Sequence, residues 1–227
     1  MRFYARLNSP LGAMLLSSNG THLDGLYFDD QKDRPPVDGL APVKAGKADP
    51  TAGMMAGAAI KDFKAYKKAV QADLFDNEDQ NTTGPAGGGP GAAWDAQQCL
   101  VVMQPDTPAG ALSVFQQTLA ELQEYFNGDR RVFGVPLHLH GTDFQIKVWE
   151  ALLAIPYGEY VSYGDVALSA GLTAQHGRPV GTAVGRNPVS IIVPCHRVLA
   201  GSGRLNGYTG GLERKFALLE LEGFTLA

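Results

Sequence analysis

From residue 30 to about residue 110 the sequence loses most signs of a packed core, and this limits what the rest of the chain can build. Pro35-Pro36, Gly84-Pro85 and Gly87-Gly88-Gly89-Pro90-Gly91 break regular elements, and Asp73, Asp76, Glu78 and Asp79 add an acidic run. Such a stretch reads as a solvated linker or insertion, because it buries too little apolar surface to offset the entropy of ordering it. Within it, Ile60, Phe63, Tyr66 and Val70 fall at helical spacing, so a short helix is expected over Ala58–Leu74. The foldable material lies on either side. With 44% hydrophobic residues in 227, it suffices for one large domain or two small ones.

Residues 1–29 read as an antiparallel meander: three apolar runs separated by Asn8-Ser9-Pro10-Leu11-Gly12 and Ser18-Asn19-Gly20. Regular structure is expected again at Ser113. There Phe115, Leu119, Leu122 and Phe126 mark an amphipathic helix that Asn127-Gly128 ends. Thr142 or Asp143 can cap a further helix carrying Phe144, Val148, Trp149, Leu152 and Leu153. The domain boundary is placed near 138–141, giving an N-terminal α/β domain (1–140) with the insertion and a C-terminal domain (141–227). The class is α+β.

The formal net charge is −4, so any nucleic-acid contact must come from a local basic face. Arg178, Arg186, Arg197, Arg204, Arg214 and Lys215 gather in the last third and supply the material for one. Two cysteines, Cys99 and Cys195, make no disulfide framework in a chain this long. Cys99 reads as a small buried hydrophobe in a strand. Met1–Arg6 contains no apolar stretch of the secretory kind, and no apolar run reaches membrane length, so a reducing cytoplasm is expected. The expected assembly is a monomer.

In the C-terminal block, Ser162 can cap a short helix through Leu168, and Ala170-Gly171-Leu172 makes a turn. Arg178–Gly185 reads as a second helix of small residues, starting near Arg178 because Pro179 follows it. The outline is a helix-turn-helix, a weak signal alone. The second helix carries little to read major-groove base edges, and suits shallow docking with Arg178 at its start. An apolar run, Ile191-Ile192-Val193, then reads as a strand that Pro194 ends before Cys195-His196-Arg197. A cysteine attacks as thiolate and needs a base or a positive environment, and His196 and Arg197 offer both. Neighbouring side chains on an extended segment face opposite ways, so a water bridge between Cys195 and His196 is expected over a direct bond. Glu220 or Glu222 is the candidate to orient the imidazole. On residue types alone a buried structural cysteine is an equal reading.

Pro194-Cys195-His196-Arg197-Val198 resembles the signature of the O6-alkylguanine-DNA alkyltransferases, also called methylated-DNA–protein-cysteine methyltransferases, of bacterial type. Gly141-Thr142-Asp143-Phe144-Gln145, Val161-Ser162-Tyr163-Gly164, Asn187-Pro188, Gly207-Tyr208-Thr209-Gly210-Gly211 and Leu218–Gly223 extend the resemblance over 141–225. Residues 1–29 and 111–138 resemble the family's N-terminal domain more weakly. The resemblance implies a ribonuclease H-like N-terminal sheet with helices and a helical C-terminal domain with a winged helix-turn-helix.

It also implies stoichiometric, single-turnover transfer of an alkyl group from guanine O6 (and from thymine O4) in double-stranded DNA to Cys195. No cofactor and no metal are implied. His196 would act as base through water, with Glu222 orienting it. Tyr163 would rotate the nucleotide and protonate the leaving guanine, and Arg178 would fill the vacated stack, with Ser162 also at the DNA. Asn187 would hold the turn before the active segment. The carbonyls of Cys195 and Val198 would accept from the guanine amino group. The Thr209 N–H would meet the alkylated oxygen, and Tyr208 would wall the pocket. Ser190 stands where some members carry proline, and the 30–110 stretch departs from the compact family pattern. The alternatives are a non-catalytic damage-binding protein, a cysteine hydrolase and a helix-turn-helix regulator. The presence of Cys195, the residues Tyr163, Arg178 and Asn187, and the small-residue helix argue against each in turn.

Overall fold

The computed structural model describes residues 1–37, 100–103, 106–201 and 207–224, with backbone alone at 100–103. The helix expected at Ala58–Leu74, the acidic run and Cys99 lie outside the described residues. The meander forms as read: β1 (Phe3–Ser9), β2 (Gly12–Ser18) and β3 (Leu23–Phe28). β4 (Leu100–Met103) pairs antiparallel with β1, giving the order β3-β2-β1-β4. The chain thus re-enters the sheet some residues before the breaker-rich composition ends.

Ser9 pairs with Gly12 across a two-residue turn, and Gly12 takes the positive φ of 109° that a side chain would resist. Asn19 Oδ1 accepts from the backbone N–H groups of Thr21 and His22 at 3.0 and 2.9 Å, which builds the second turn.

α1 (Ala109–Phe126) starts four residues before Ser113. It buries Ala111, Val114, Phe115, Leu119, Leu122 and Tyr125, a stripe at three- and four-residue spacing. That stripe joins Ala5, Leu7, Met14, Leu16, Leu26 and Phe28 of the sheet in one core, which continues through Trp149, Val180 and Val193 to Leu218.

The helices that follow are α2 (Asp143–Leu153), α3 (Tyr163–Ser169), α4 (Gly177–Gly185) and α5 (Leu212–Leu221). Thr142 caps α2 and Ser162 caps α3, each in a reciprocal capping box with Gln145 and Asp165 respectively. α4 begins at Gly177, one residue before the expected start. The Trp149 indole N–H donates to Ala183 O at 2.9 Å and ties α4 to α2.

Two features of this frame position the candidate site. The outer edge of β3 pairs parallel with the segment before Cys195: Leu26 N donates to Pro188 O and Ser190 N to Leu26 O, both at 2.8 Å. β5 (Val161–Ser162) pairs parallel with β6 (Val198–Leu199), so the start of α3 lies beside the end of the Cys195 turn. Among the described residues no helix is long and apolar enough to cross a membrane.

Candidate active site

The segment before Cys195 is not the strand its composition suggests. Ile191 has φ of 70°, and Ile192 N donates to Ser190 O at 2.8 Å, the geometry of a γ-turn. Cys195 N donates to Val193 O at 2.8 Å around Pro194 (φ −82°, ψ 62°), an inverse γ-turn. Cys195–Arg197 then forms one turn of 3-10 helix. All of Ile191–Val198 is buried. An apolar run covered on every side has no period to distinguish strand from turn, which is why the pattern misleads. A β-branched residue at positive φ costs ~1–3 kcal/mol, held here by the surrounding bonds.

Asn187 holds this turn. Its amide nitrogen lies 2.7 Å from Val193 O, 3.3 Å from Val189 O and 3.1 Å from Cys195 Sγ, and its oxygen accepts from Val189 N at 3.0 Å. Cys195 is a free, buried thiol. Burial pushes its pKa up, opposed by the Asn187 bond and the Lys215 charge, so the resting group is the thiol.

Beside it the His196 imidazole is fully buried, with Nε2 2.9 Å from Glu222 Oε1. Burial lowers the His196 pKa against the pull of Glu222, so the ring is neutral. Burial works to raise the Glu222 carboxyl, but hydrogen bonds from His196 and Arg197 outweigh it and bring the pKa to about 2. An ionised carboxylate only accepts, so the ring hydrogen sits on Nε2 and Nδ1 keeps its lone pair. Nδ1 is buried and has no hydrogen-bond partner within the protein. Glu222, not Glu220, is therefore the orienting acid.

Glu222 also gathers Arg197 Nε at 2.8 Å, Arg197 Nη2 at 2.9 Å, the Tyr125 hydroxyl at 2.7 Å and Gly158 N at 3.2 Å. Arg197 Nη1 donates onward to Ile155 O at 2.6 Å. So Arg197, expected near the thiol, spends its guanidinium on the carboxylate and a helix end. The cation whose charge acts on Cys195 is Lys215, which the sequence offers only as one of the basic residues of the last third. It is buried, donates to Val198 O at 2.6 Å, and has its pKa lowered by burial to about 8, against the opposing pull of Cys195. One signal could have found it: a lysine between apolar residues on the buried stripe of an amphipathic helix.

Two phenols lie within electrostatic reach of Cys195. Burial first and a Cys195 thiolate second raise the pKa of Tyr163, and raise that of Tyr208 further, so both hydroxyls stay protonated. The Tyr163 ring packs over Gly181 of α4, where a Cβ would stand 3.6 Å away. Thr209 Oγ1 donates to Gly185 O at 2.7 Å, tying the 207–211 loop to α4. The carbonyls of Cys195 and Val198 already accept from Val198 N and Lys215 Nζ, and each keeps a second lone pair. Arg178 and Thr182 lie on the exposed face of α4, with Arg186 exposed at its C-cap four residues further on, and Val180, Ala183 and Val184 on the buried face. Among the described residues no group of three His, Cys, Asp or Glu is placed to hold a metal ion.

Residues 143–224 match the family profile described as "6-O-methylguanine DNA methyltransferase, DNA binding domain". A methylated-DNA–protein-cysteine methyltransferase of Mycobacterium tuberculosis (strain ATCC 25618 / H37Rv) is 55% identical over 108 residues, 48% of this chain and 65% of the relative. The chain thus matches just under two thirds of that relative's length. The protein of the same description from Methanosarcina acetivorans is 45% identical over 119 residues, 52% of this chain and 76% of the relative. The crystal structure of Mycobacterium tuberculosis OGT in complex with DNA superposes with a TM-score of 0.59 at 32% identity, covering 96% of this chain and 91% of that one. The α+β fold with a small antiparallel sheet is common to both. This chain belongs to the methylated-DNA–protein-cysteine methyltransferase family.

Proposed function

We propose that this protein repairs DNA by moving an alkyl group from guanine O6, and from thymine O4, in double-stranded DNA onto Cys195, once per molecule. The observation that carries this reading is the buried thiol of Cys195 next in sequence to a neutral imidazole whose Nε2–H is committed to Glu222, which leaves Nδ1 free to serve as the base. The thiol proton passes to Nδ1 through a bridging water. The sulfur then attacks the alkyl carbon: the S–C bond forms, the C–O6 bond breaks, and its electron pair goes to the guanine. Tyr163, a protonated phenol beside Cys195, gives the purine a proton as it leaves. The proton on His196 returns to Tyr163 through solvent, so the balance is thiol plus alkylguanine to thioether plus guanine. Nothing in the site is suited to cleave a thioether, hence one turnover.

The base must leave the stack to reach a buried thiol, at a cost of a few kcal/mol. In this reading α3 and α4 are the two helices of a winged helix-turn-helix, and the Arg178–Thr182–Arg186 face meets the DNA. Arg178 enters the stack, and Ser162 and Tyr163 sit against the phosphates. Asn187 with Pro194 sets the turn, Tyr208 walls the pocket, Thr209 N–H meets O6, and the Cys195 and Val198 carbonyls meet the guanine amino group. The N-terminal half is read as a ribonuclease H-like unit, with the domain boundary at 140/141. A monomer in the reducing cytoplasm suits an unpaired acceptor thiol.

The test is the intact and peptide mass after mixing with duplex DNA containing O6-methylguanine. One added methyl is expected on the Cys195 peptide, absent in Cys195→Ser. Unchanged mass with DNA binding retained would replace this reading by non-catalytic damage binding.

A further inference from the structure

Phe28, Asp30 and Gln31, at the end of β3 and just beyond it, meet the Gly210 loop, Arg214 and the turn that leads to Cys195 respectively. A Cβ at Gly210 would lie 2.6 Å from the Phe28 ring and 2.8 Å from the Tyr208 ring, so only glycine lets the loop close on Phe28. Asp30 accepts two bonds from Arg214, at 2.7 and 3.0 Å. The same guanidinium donates to Gly210 O and to Leu11 O, each at 2.8 Å, and stands 4.4 Å over the Phe28 ring. Gln31 is buried, and its Oε1 accepts from Ser190 Oγ at 3.5 Å, on the turn that leads to Cys195.

The loop held this way has little to fix it on its own. Gly207 and Gly211 have φ of 44° and 95°, and Gly210 precedes Gly211. Three glycines in five residues give a chain with large conformational freedom. Thr209 anchors it to α4, and Gly211 N donates to Tyr208 O at 3.0 Å. The bond from Arg214 to Gly210 O is the link that runs on to the N-terminal sheet.

We infer that Arg214 and Asp30 form a positioning pair for the alkyl-guanine pocket, through which the N-terminal half holds Tyr208 and Thr209 against Cys195. The inference rests on the alkyl-transfer reading above and names residues that neither touch the reacting atoms nor carry the proton. A methyl group fills little of a pocket, so its guanine depends on the walls for alignment. A benzyl group makes its own contacts with those walls. Loosening the loop therefore slows methyl transfer more than benzyl transfer.

The Asp30 side chain is 52% exposed, so breaking its ion pair costs little stability, and a rate effect is separable from unfolding. The experiment compares single-turnover rates on duplexes carrying O6-methylguanine or O6-benzylguanine for wild type, Asp30→Ala and Asp30→Glu, with the Tm of each. For Asp30→Ala, methyl transfer should fall ~10-fold and benzyl transfer ~2-fold, a ~5-fold change in their ratio from misalignment alone. Asp30→Glu, which keeps the carboxylate, should retain the wild-type ratio. Equal losses on both substrates, or no loss on either, overturn the positioning role while leaving the activity intact. Wild-type protein that acquires neither group overturns the activity itself.

Discussion

His196 Nε2 stands 2.9 Å from Glu222 Oε1, and the same carboxylate binds Arg197 through both of its oxygens. One acid thus sets the imidazole tautomer and neutralises a buried guanidinium. Glu222→Gln keeps the shape and removes the charge. Transfer to Cys195 should slow ~100-fold, the range for losing a positioned base. The uncompensated Arg197 should lower stability by ~3 kcal/mol. Rapid-quench kinetics and urea unfolding read the two effects separately. A normal rate in a destabilised variant would remove His196 from the proton path.

Acid should unfold the protein partly through this carboxylate. Its pKa falls from 4.5 to about 2 in the fold, so its contribution is complete above the unfolded value of 4.5. That contribution is lost as pH falls from 4.5 through about 2, where the native carboxylate takes its proton. The urea midpoint of wild type should drop over that window, and more shallowly in Glu222→Gln. Parallel curves would assign the acid loss to other groups.

Lys215 places a cation by the thiol, and its pKa near 8 makes that cation pH-dependent. Lys215→Met should slow transfer ~10-fold at neutral pH, equivalent to about one unit in the thiol pKa. Above about 8 the wild-type ammonium is itself deprotonated, so the two rate curves should converge. A constant gap from neutral to alkaline pH would mean that Lys215 acts only by holding Val198 O.

Arg178 is exposed at the start of α4. Arg178→Ala should leave Tm unchanged and slow repair of duplex DNA by ~10-fold or more, since a vacated stack costs a few kcal/mol. Reaction with free O6-benzylguanine should be unaffected. Equal losses on duplex and free base would reject the stack-filling role.

The sequence by itself determined the local elements and the chemistry they carry. The Thr142 and Ser162 caps, the turn at Ser9–Gly12 and the stripe of α1 are legible because each depends on residues a few positions apart. So is the Cys195-His196 pair, a contiguous motif. Tertiary structure alone decided the rest. Ile191 and Pro194 centre γ-turns, because the edge of β3 captures the backbone at Pro188 and Ser190 and Asn187 captures it at Val189 and Val193. Glu222, 26 positions from His196, is the acid chosen over Glu220. Lys215 turns inward to Val198 O, within electrostatic reach of the thiol, while its neighbour Arg214 binds Asp30, 184 positions away, because successive residues of a helix face different surroundings. No short-range pattern encodes such pairings. They exist only once hydrophobic burial has stacked α5 between the N-terminal sheet and the Cys195 turn.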